Sequence, residues 1–373
     1  MDLRLTEEQR QIADSVGELL ANASDSASMR RAAFDHGGFD AALWAQLGEL
    51  GVCGIHLPEA QGGLGLGVTE LVLVAEEFGR RLACVPWLES AVLAGTAIAS
   101  LGDDAVAARW LPPLASGERI VTLDIGLLEC APLAVRRSAA GWQLDGVLPA
   151  IPAAMAASSL LVPVQVDGER LLVIVALDAT GMARRERANL DATRPIAEVR
   201  LTAVRVDESA CLARGATVDR ALDRSRQLAA VVLASEQVGV AQQCLDLTVA
   251  HLAQRVQFGK PLATFQALKH RCAQMMVDLE LARSAVLGAA RELDGGPDEG
   301  RRLRLTTMAR SLADDAARYC TQEAIQLHGG VGFTWEYDPH LYFKRAQAAR
   351  SWLGTPAEWR ERFAHALLDE AAQ

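Results

Sequence analysis

Residues 255–270 read RVQFGKPLATFQALKH, and residues 322–345 read QEAIQLHGGVGFTWEYDPHLYFKR. Both stretches lie where long helical patterns break. In the first, Gly259 and Pro261 separate runs of helical period over roughly 217–253 and 264–292, and so short a link makes the two helices antiparallel neighbours. At that turn Arg255 sets a fixed cation beside the aromatic Phe258, chemistry suited to a pyrophosphate and an adenine. The plainer alternative is a solvent-facing arginine and a core phenylalanine. In the second stretch, Gln326-Leu327-His328-Gly329-Gly330 closes a helix on two glycines. Glycine has no Cβ and tolerates unusual dihedrals, so a ligand can come close to this backbone. An ordinary glycine helix cap is the plainer alternative.

Further runs at about 303–327, 340–352 and 356–370 extend the helical period. Runs of this length predict a helical bundle over 215–373. Upstream the character differs. Residues 118–212 alternate short β-branched or apolar runs with turns (RIVTLDI, LAVRRS, GWQLDG, SSLLVPVQV, RLLVIVAL, AEVRLTAVRV), and VDGER at 166–170 reads as a hairpin. An antiparallel barrel or sandwich over 118–214 is expected. The first 117 residues read as all-helical. Thr6 and Gln9 form a capping box, and further helices are expected at about 40–50, 69–82, 88–101 and 103–115.

Composition narrows the function. The 373 residues suit two or three domains of about 150 residues each. Half are hydrophobic and 23% are charged, which places the chain in the globular class. A net charge of −10 argues against a nucleic-acid partner. The seven cysteines are scattered and contain no CxxC pair, so reduced thiols are expected, with neither a disulfide framework nor a metal site. The opening MDLRLTEEQR lacks the apolar core of a secretory signal, and a cytoplasmic protein is expected. Residues 147–166 are uncharged over about a bilayer's span. Pro149, Pro152 and Pro163 break any helix there, so an irregular loop leading into a buried strand is expected, without membrane insertion.

Together with the LTEEQ helix and GIHLPEAQGGLG at 54–65, the two opening stretches closely resemble the acyl-CoA dehydrogenase family over essentially the whole chain. The resemblance implies a mainly α fold with a central β-domain. An N-terminal helical domain (1–117) and a middle antiparallel β-barrel or sandwich (118–214) precede a C-terminal four-helix bundle (215–373). It also implies FAD as cofactor, an acyl-CoA substrate and an electron-accepting flavoprotein. In the family FAD is shared across a subunit interface, one subunit holding the flavin ring and its neighbour the adenine end. The resemblance assigns that neighbouring grip to Arg255, Gln257 and Phe258 with Gln326, Gly329 and Gly330. His328 is read as a packed or capping residue, and Trp335, Trp352 and Trp359 as packing residues.

The chain departs from the family where the chemistry happens. α,β-Dehydrogenation of an acyl thioester needs a carboxylate to remove the α-proton while the β-hydride passes to flavin. Most members place a Glu before a Gly-Thr pair near the C-terminus; here that segment is Trp352-Leu353-Gly354-Thr355, with Leu353 at the base position. A second family position aligns with Ala229 or Ala230. Glu236 is a weak substitute, seven residues and about 10 Å farther along the helix. Glu336 and Asp338 belong to a FTWEYD run that competent members share, and are not read as bases. The TEPxxGSD-like loop is replaced by TLDIGLLECAP at 122–132, and the Trp-Ile-Ser/Thr element by PAIPAA at 149–154. The chain therefore resembles the base-lacking subunits of actinobacterial α2β2 acyl-CoA dehydrogenases, which oxidise bulky CoA thioesters such as steroid side chains. Two alternatives stay open: a homo-oligomer with a displaced base, and a flavin-free scaffold or acyl-CoA-binding protein.

Overall fold

The computed structural model describes residues 3–138, 141–295 and 298–371. In chain order, helices α1 (Glu7–Ala23), α2 (Ser26–Phe34), α3 (Ala41–Glu49), α4 (Val68–Arg81), α5 (Gly95–Ala99) and α6 (Asp104–Ala115) come first. Strands β1 (Val121–Leu123), β2 (Ala134–Ser138), β3 (Gly141–Pro152), β4 (Ser159–Val166), β5 (Glu169–Ala176), β6 (Met182–Arg187), β7 (Ile196–Asp207) and β8 (Cys211–Arg214) follow. Helix α7 (Ala216–Gln254), the short strands β9 (Val256–Gln257) and β10 (Lys260–Pro261), and helices α8 (Gln266–Gly295), α9 (Glu299–His328), α10 (Pro339–Ala349) and α11 (Pro356–Ala371) complete the chain.

These elements form two compact units. One comprises Met1–Arg31, Gly67–Ala83 and Ala230–Gln373. Its α1 starts as expected: the Thr6 hydroxyl accepts from the Gln9 amide at 3.2 Å, and the Gln9 side chain accepts from the Thr6 amide at 3.0 Å. Helix α1 packs on α4, α4 on α8, and α9 on α8, α10 and α11. Where α4 meets α7, glycine is required on both sides. A Cβ on Gly79 would sit 2.0 Å from the Glu236 carbonyl oxygen, and one on Gly239 would sit 1.9 Å from that of Glu76. Buried polar pairs tie the helices. Arg345 donates to Glu236 at 2.8 Å, the Ser235 hydroxyl donates to the Val72 carbonyl at 2.6 Å, and Arg310 pairs with Asp314 while donating to the Ala349 carbonyl at 2.7 Å.

The other unit comprises Ala32–Leu66 and Cys84–Ala229. It holds two four-stranded sheets, ordered β1-β4-β5-β8 and β2-β3-β7-β6. All pairings are antiparallel except β1 with β4. The β4–β5 hairpin turns at Asp167 and Gly168, both at positive φ (51° and 84°), the turn that VDGER predicts. Trp142, Leu144, Leu160, Leu172 and Val199 are buried here.

Residues 147–166 bear the expectation out in part: a turn at 153–158 leads into the buried strand β4, but the residues before that turn are strand. There is no irregular loop before Pro152, because β3 continues through Pro149 to Pro152 with register shifts in its pairing to β7, and β4 begins at Ser159. Bulged pairing lets a strand carry prolines that regular pairing would exclude. A different segment, α7, is long and apolar enough to cross a membrane by length and composition, but 89% of its most apolar window is buried. Helix α2, the polar strand β6 (MARRER) and the short pair β9–β10 were not legible in the sequence, whereas the helix expected at about 88–101 forms, with π-helical turns over Trp87–Ala94 leading into α5.

Candidate functional site

The residues singled out at 255–258 and 326–330 line one cleft of about 910 Å3 in the first unit. Its first wall is the end of α7 and the turn beyond it. The Arg255 amide donates to the His251 carbonyl at 2.9 Å, closing the helix, and β9 pairs antiparallel with β10 around Phe258 and Gly259. Both turn residues have positive φ, 53° and 77°. A phenylalanine in that region carries a steric cost of roughly 1–2 kcal/mol. Phe258 is also 87% exposed, which removes the core-phenylalanine alternative. Only Phe265 meets its ring among the described aromatics, edge-on at 6.0 Å.

The second wall is the end of α9. The Gly329 amide donates to the Gln326 carbonyl, and Gly329 adopts φ 66°, so it does cap the helix. A Cβ on Gly329 or Gly330 would nevertheless meet nothing within 4 Å. The cap therefore leaves backbone facing open space. Gln326, Gly329 and Gly330 are exposed, as are Arg255 and Gln257.

The cleft is electrostatically unlike the rest of this acidic chain. Among the described residues no Asp or Glu lines it, whereas Arg255 and Arg271 do. Arg271 is matched by Glu323 at 2.7 Å, and the Arg255 guanidinium has no ion-pair partner among the described residues. Two histidines that the sequence reading did not connect also line it. His251 and His328 stack at 4.3 Å, with Tyr337 set edge-on to both. Burial, then the neighbouring His328 and Arg255, holds His251 below the ordinary histidine value, and burial lowers His328. His328 is packed, as expected, with Nδ1 2.7 Å from the Ala324 carbonyl. His251 was legible in principle, because it lies four residues before Arg255 and hence on the same helical face.

The positions that the resemblance assigns to the family's base hold no acid. Leu353 lies past α10 at φ 61°, and Ala229 and Ala230 are fully buried inside α7. Glu236 is buried in its ion pair with Arg345. Asp338 binds Arg30, whose Nε donates to it at 3.0 Å, and Glu336 is an exposed carboxylate held below its ordinary pKa by its hydrogen bond with Thr334. Trp352 and Trp359 are buried as expected. Trp335 is not: it is 60% exposed, lying under Lys344 at 4.9 Å and edge-on to His340, because it belongs to a loop and not to a helix face. In the second unit the two divergent segments come together, the Thr122 hydroxyl donating to the Pro152 carbonyl at 2.6 Å. Among the described residues no group of three or more His, Cys, Asp or Glu could hold a metal ion.

Comparison with known proteins decides the family. The acyl-CoA dehydrogenase N-terminal domain matches residues 6–118, and the acyl-CoA dehydrogenase C-terminal domain matches residues 216–368. The chain belongs to the acyl-CoA dehydrogenase family. Among acyl-CoA dehydrogenases, IpdE2 of Mycobacterium tuberculosis is 32% identical over 94% of this chain and 95% of its own length. Among solved structures, a chain of the ChsE4-ChsE5 complex from Mycobacterium tuberculosis superposes with a TM-score of 0.89 at 26% identity, covering 99% of both chains. A chain of the Tcur3481-Tcur3483 steroid acyl-CoA dehydrogenase, solved as a point variant, gives 0.86 at 27% identity, covering 98% of this chain and 99% of that one. Acyl-CoA dehydrogenases are FAD-dependent.

Proposed function

We propose that this chain is one subunit of a heteromeric, flavin-dependent acyl-CoA dehydrogenase, holding the adenine end of the FAD that serves a partner's active site. The partner, a second acyl-CoA dehydrogenase-like chain, carries the base. The observation that carries this reading is the cleft: Arg255, Gln257, Phe258, Gln326, Gly329 and Gly330 come together on a surface without carboxylates, while Leu353, Ala229 and Ala230 offer no acid. The site fits a dinucleotide. An unpaired guanidinium matches a diphosphate, open space over two glycines lets phosphate oxygens approach backbone, and an exposed ring offers a stacking face to adenine. Gln257 and Gln326 add amide donors and acceptors.

Bound FAD supplies the hydride acceptor for α,β-dehydrogenation of an acyl thioester. This chain's part is binding and orientation: Arg255 neutralises charge and the glycine cradle sets the distance of approach. The solved relatives support the assembly and the substrate class, since one is a complex of two differently named chains and another is called a steroid enzyme. We accordingly assign a bulky CoA thioester, such as a steroid side chain, as substrate, an electron-accepting flavoprotein as oxidant, and the cytoplasm as location. The same reading treats 1–117, 118–214 and 215–373 as its three domains. Glu236 is assigned a structural role, because its carboxylate is committed to Arg345.

The test is Arg255→Ala in the chain co-expressed with its partner. Losing a charge-assisted contact costs about 1.5–3 kcal/mol, so FAD should bind roughly 10- to 100-fold more weakly. Unchanged FAD content after gel filtration contradicts the assignment.

A further inference from the structure

The cleft holds a pair of groups that the reading above does not use. His251, on the last turn of α7, and His328, at the end of α9, stack face to face at 4.3 Å with an interplanar angle of 27°. Tyr337 closes the stack edge-on, at 6.3 Å from His251 and 6.1 Å from His328. All three line the cleft beside Arg255 and the two glycines.

The hydrogen bonding of His328 limits what it can offer a ligand. Its Nδ1 lies 2.7 Å from the Ala324 carbonyl, an acceptor, so Nδ1 carries the hydrogen. In the neutral ring Nε2 is then a lone pair, which repels an anionic oxygen. Only a second proton turns that nitrogen into a donor. A proton on His251 is opposed by burial, by His328 and by Arg255, and a second proton on His328 is opposed by its burial. The surrounding charges do not relieve this. Glu323 on α9 is engaged by Arg271 of α8, and Asp338 before α10 is engaged by Arg30 of α2. Glu336 is exposed and bonded to Thr334. Among the described residues no carboxylate lines the cleft to stabilise a histidine cation. Without a ligand the pair is held neutral; an arriving anion supplies the missing counter-charge.

We propose that the stacked His251–His328 pair is a second anion contact of the cleft, which takes up a proton from solvent as the diphosphate of a dinucleotide binds. The inference rests on reading the cleft as the dinucleotide site. Its sign follows from linkage. The free pair titrates below the ordinary histidine value and the bound pair higher, so the complex holds more protons than the free protein between those two values. Affinity therefore rises as pH falls through that window, by at most about tenfold per pH unit for one proton.

The probe is ADP-ribose, whose diphosphate is a diester of constant charge from about pH 5.5 to 8. The experiment follows the imidazole signals of the full-length chain by NMR with and without saturating ADP-ribose. His251→Asn and His328→Asn identify the two signals. The expected result is that ADP-ribose raises the titration of one of the two rings by about one unit or more, with a matching pH dependence of Kd. Adenosine, which lacks the diphosphate, should leave both titrations in place. ADP-ribose binding with unmoved histidine titrations and a pH-independent Kd overturns this proposal and leaves the dinucleotide cleft standing. An upward shift produced equally by adenosine also overturns it. Failure of ADP-ribose to bind at any pH overturns both.

Discussion

On the proposed function, Gly330 is a position where a binding role can be separated from a folding role. Its backbone is outside the left-handed region and a Cβ there meets nothing within 4 Å, so a side chain costs the fold little. A ligand packed against that backbone would collide with it. Gly330→Val should leave the thermal midpoint of the assembled protein nearly unchanged while lowering bound FAD at least about tenfold, close to the cost of overpacking a close contact. Absorbance of the purified complex, compared with its melting curve, checks both halves. Gly329 is a poorer choice, because its φ of 66° adds backbone strain to any substitution. Much of this site was legible: the arginine, the aromatic and the paired glycines are visible as residue types at chain breaks. The exposure of Phe258 and Trp335 was not, because an aromatic near a helix end has the same sequence signature whether it faces core or solvent. Nor was the histidine stack, which joins positions 77 residues apart in the sequence, 328 − 251.

Helices were read well where their period was long. Runs expected at 217–253, 264–292 and 356–370 became α7, α8 and α11 with ends shifted by at most three residues. Helix α2 was missed because Ser26–Phe34 is short and carries Arg30 and Arg31 among small residues, which leaves little apolar period to detect. Strand β6 was missed because four of its six residues are exposed, so it shows no alternation. Partners across elements were also invisible, and Glu236 shows why that matters. On its helix it looks like a spare carboxylate; the structure commits it to Arg345 of α10. Removing one partner of a buried ion pair leaves the other charge uncompensated, at roughly 3–5 kcal/mol. Glu236→Gln should therefore destabilise the protein by up to that amount while leaving turnover per folded complex nearly unchanged. Denaturant unfolding and steady-state rates measured on the same preparation distinguish this from catalysis. Loss of turnover without loss of stability would make Glu236 the base.

For the whole chain, acid sensitivity has an identifiable source outside the cleft. The His56 Nε2 lies 2.8 Å from the Thr96 hydroxyl, Nδ1 is buried without a partner, and desolvation pushes its pKa down to about 4. The unfolded chain takes a proton at this ring near the ordinary value of about 6.5. Between those values the unfolded state holds more protons, so stability is fully present above 6.5 and is lost as pH falls toward 4. His56→Gln should flatten the fall of the melting midpoint over that window; an unchanged slope would place the sensitivity elsewhere.

A cleft proposed to grip a dinucleotide, on a chain with Leu353, Ala229 and Ala230 where the resemblance places the base, calls for a partner. The direct measurement is FAD per protomer, by absorbance, together with assembly mass, for the chain expressed alone and with the family member encoded beside it. About one FAD per two chains is expected in a heteromer of closed symmetry, whereas the chain alone, holding only the adenine end, should lose FAD on gel filtration. One FAD per chain in a homo-oligomer would contradict that reading.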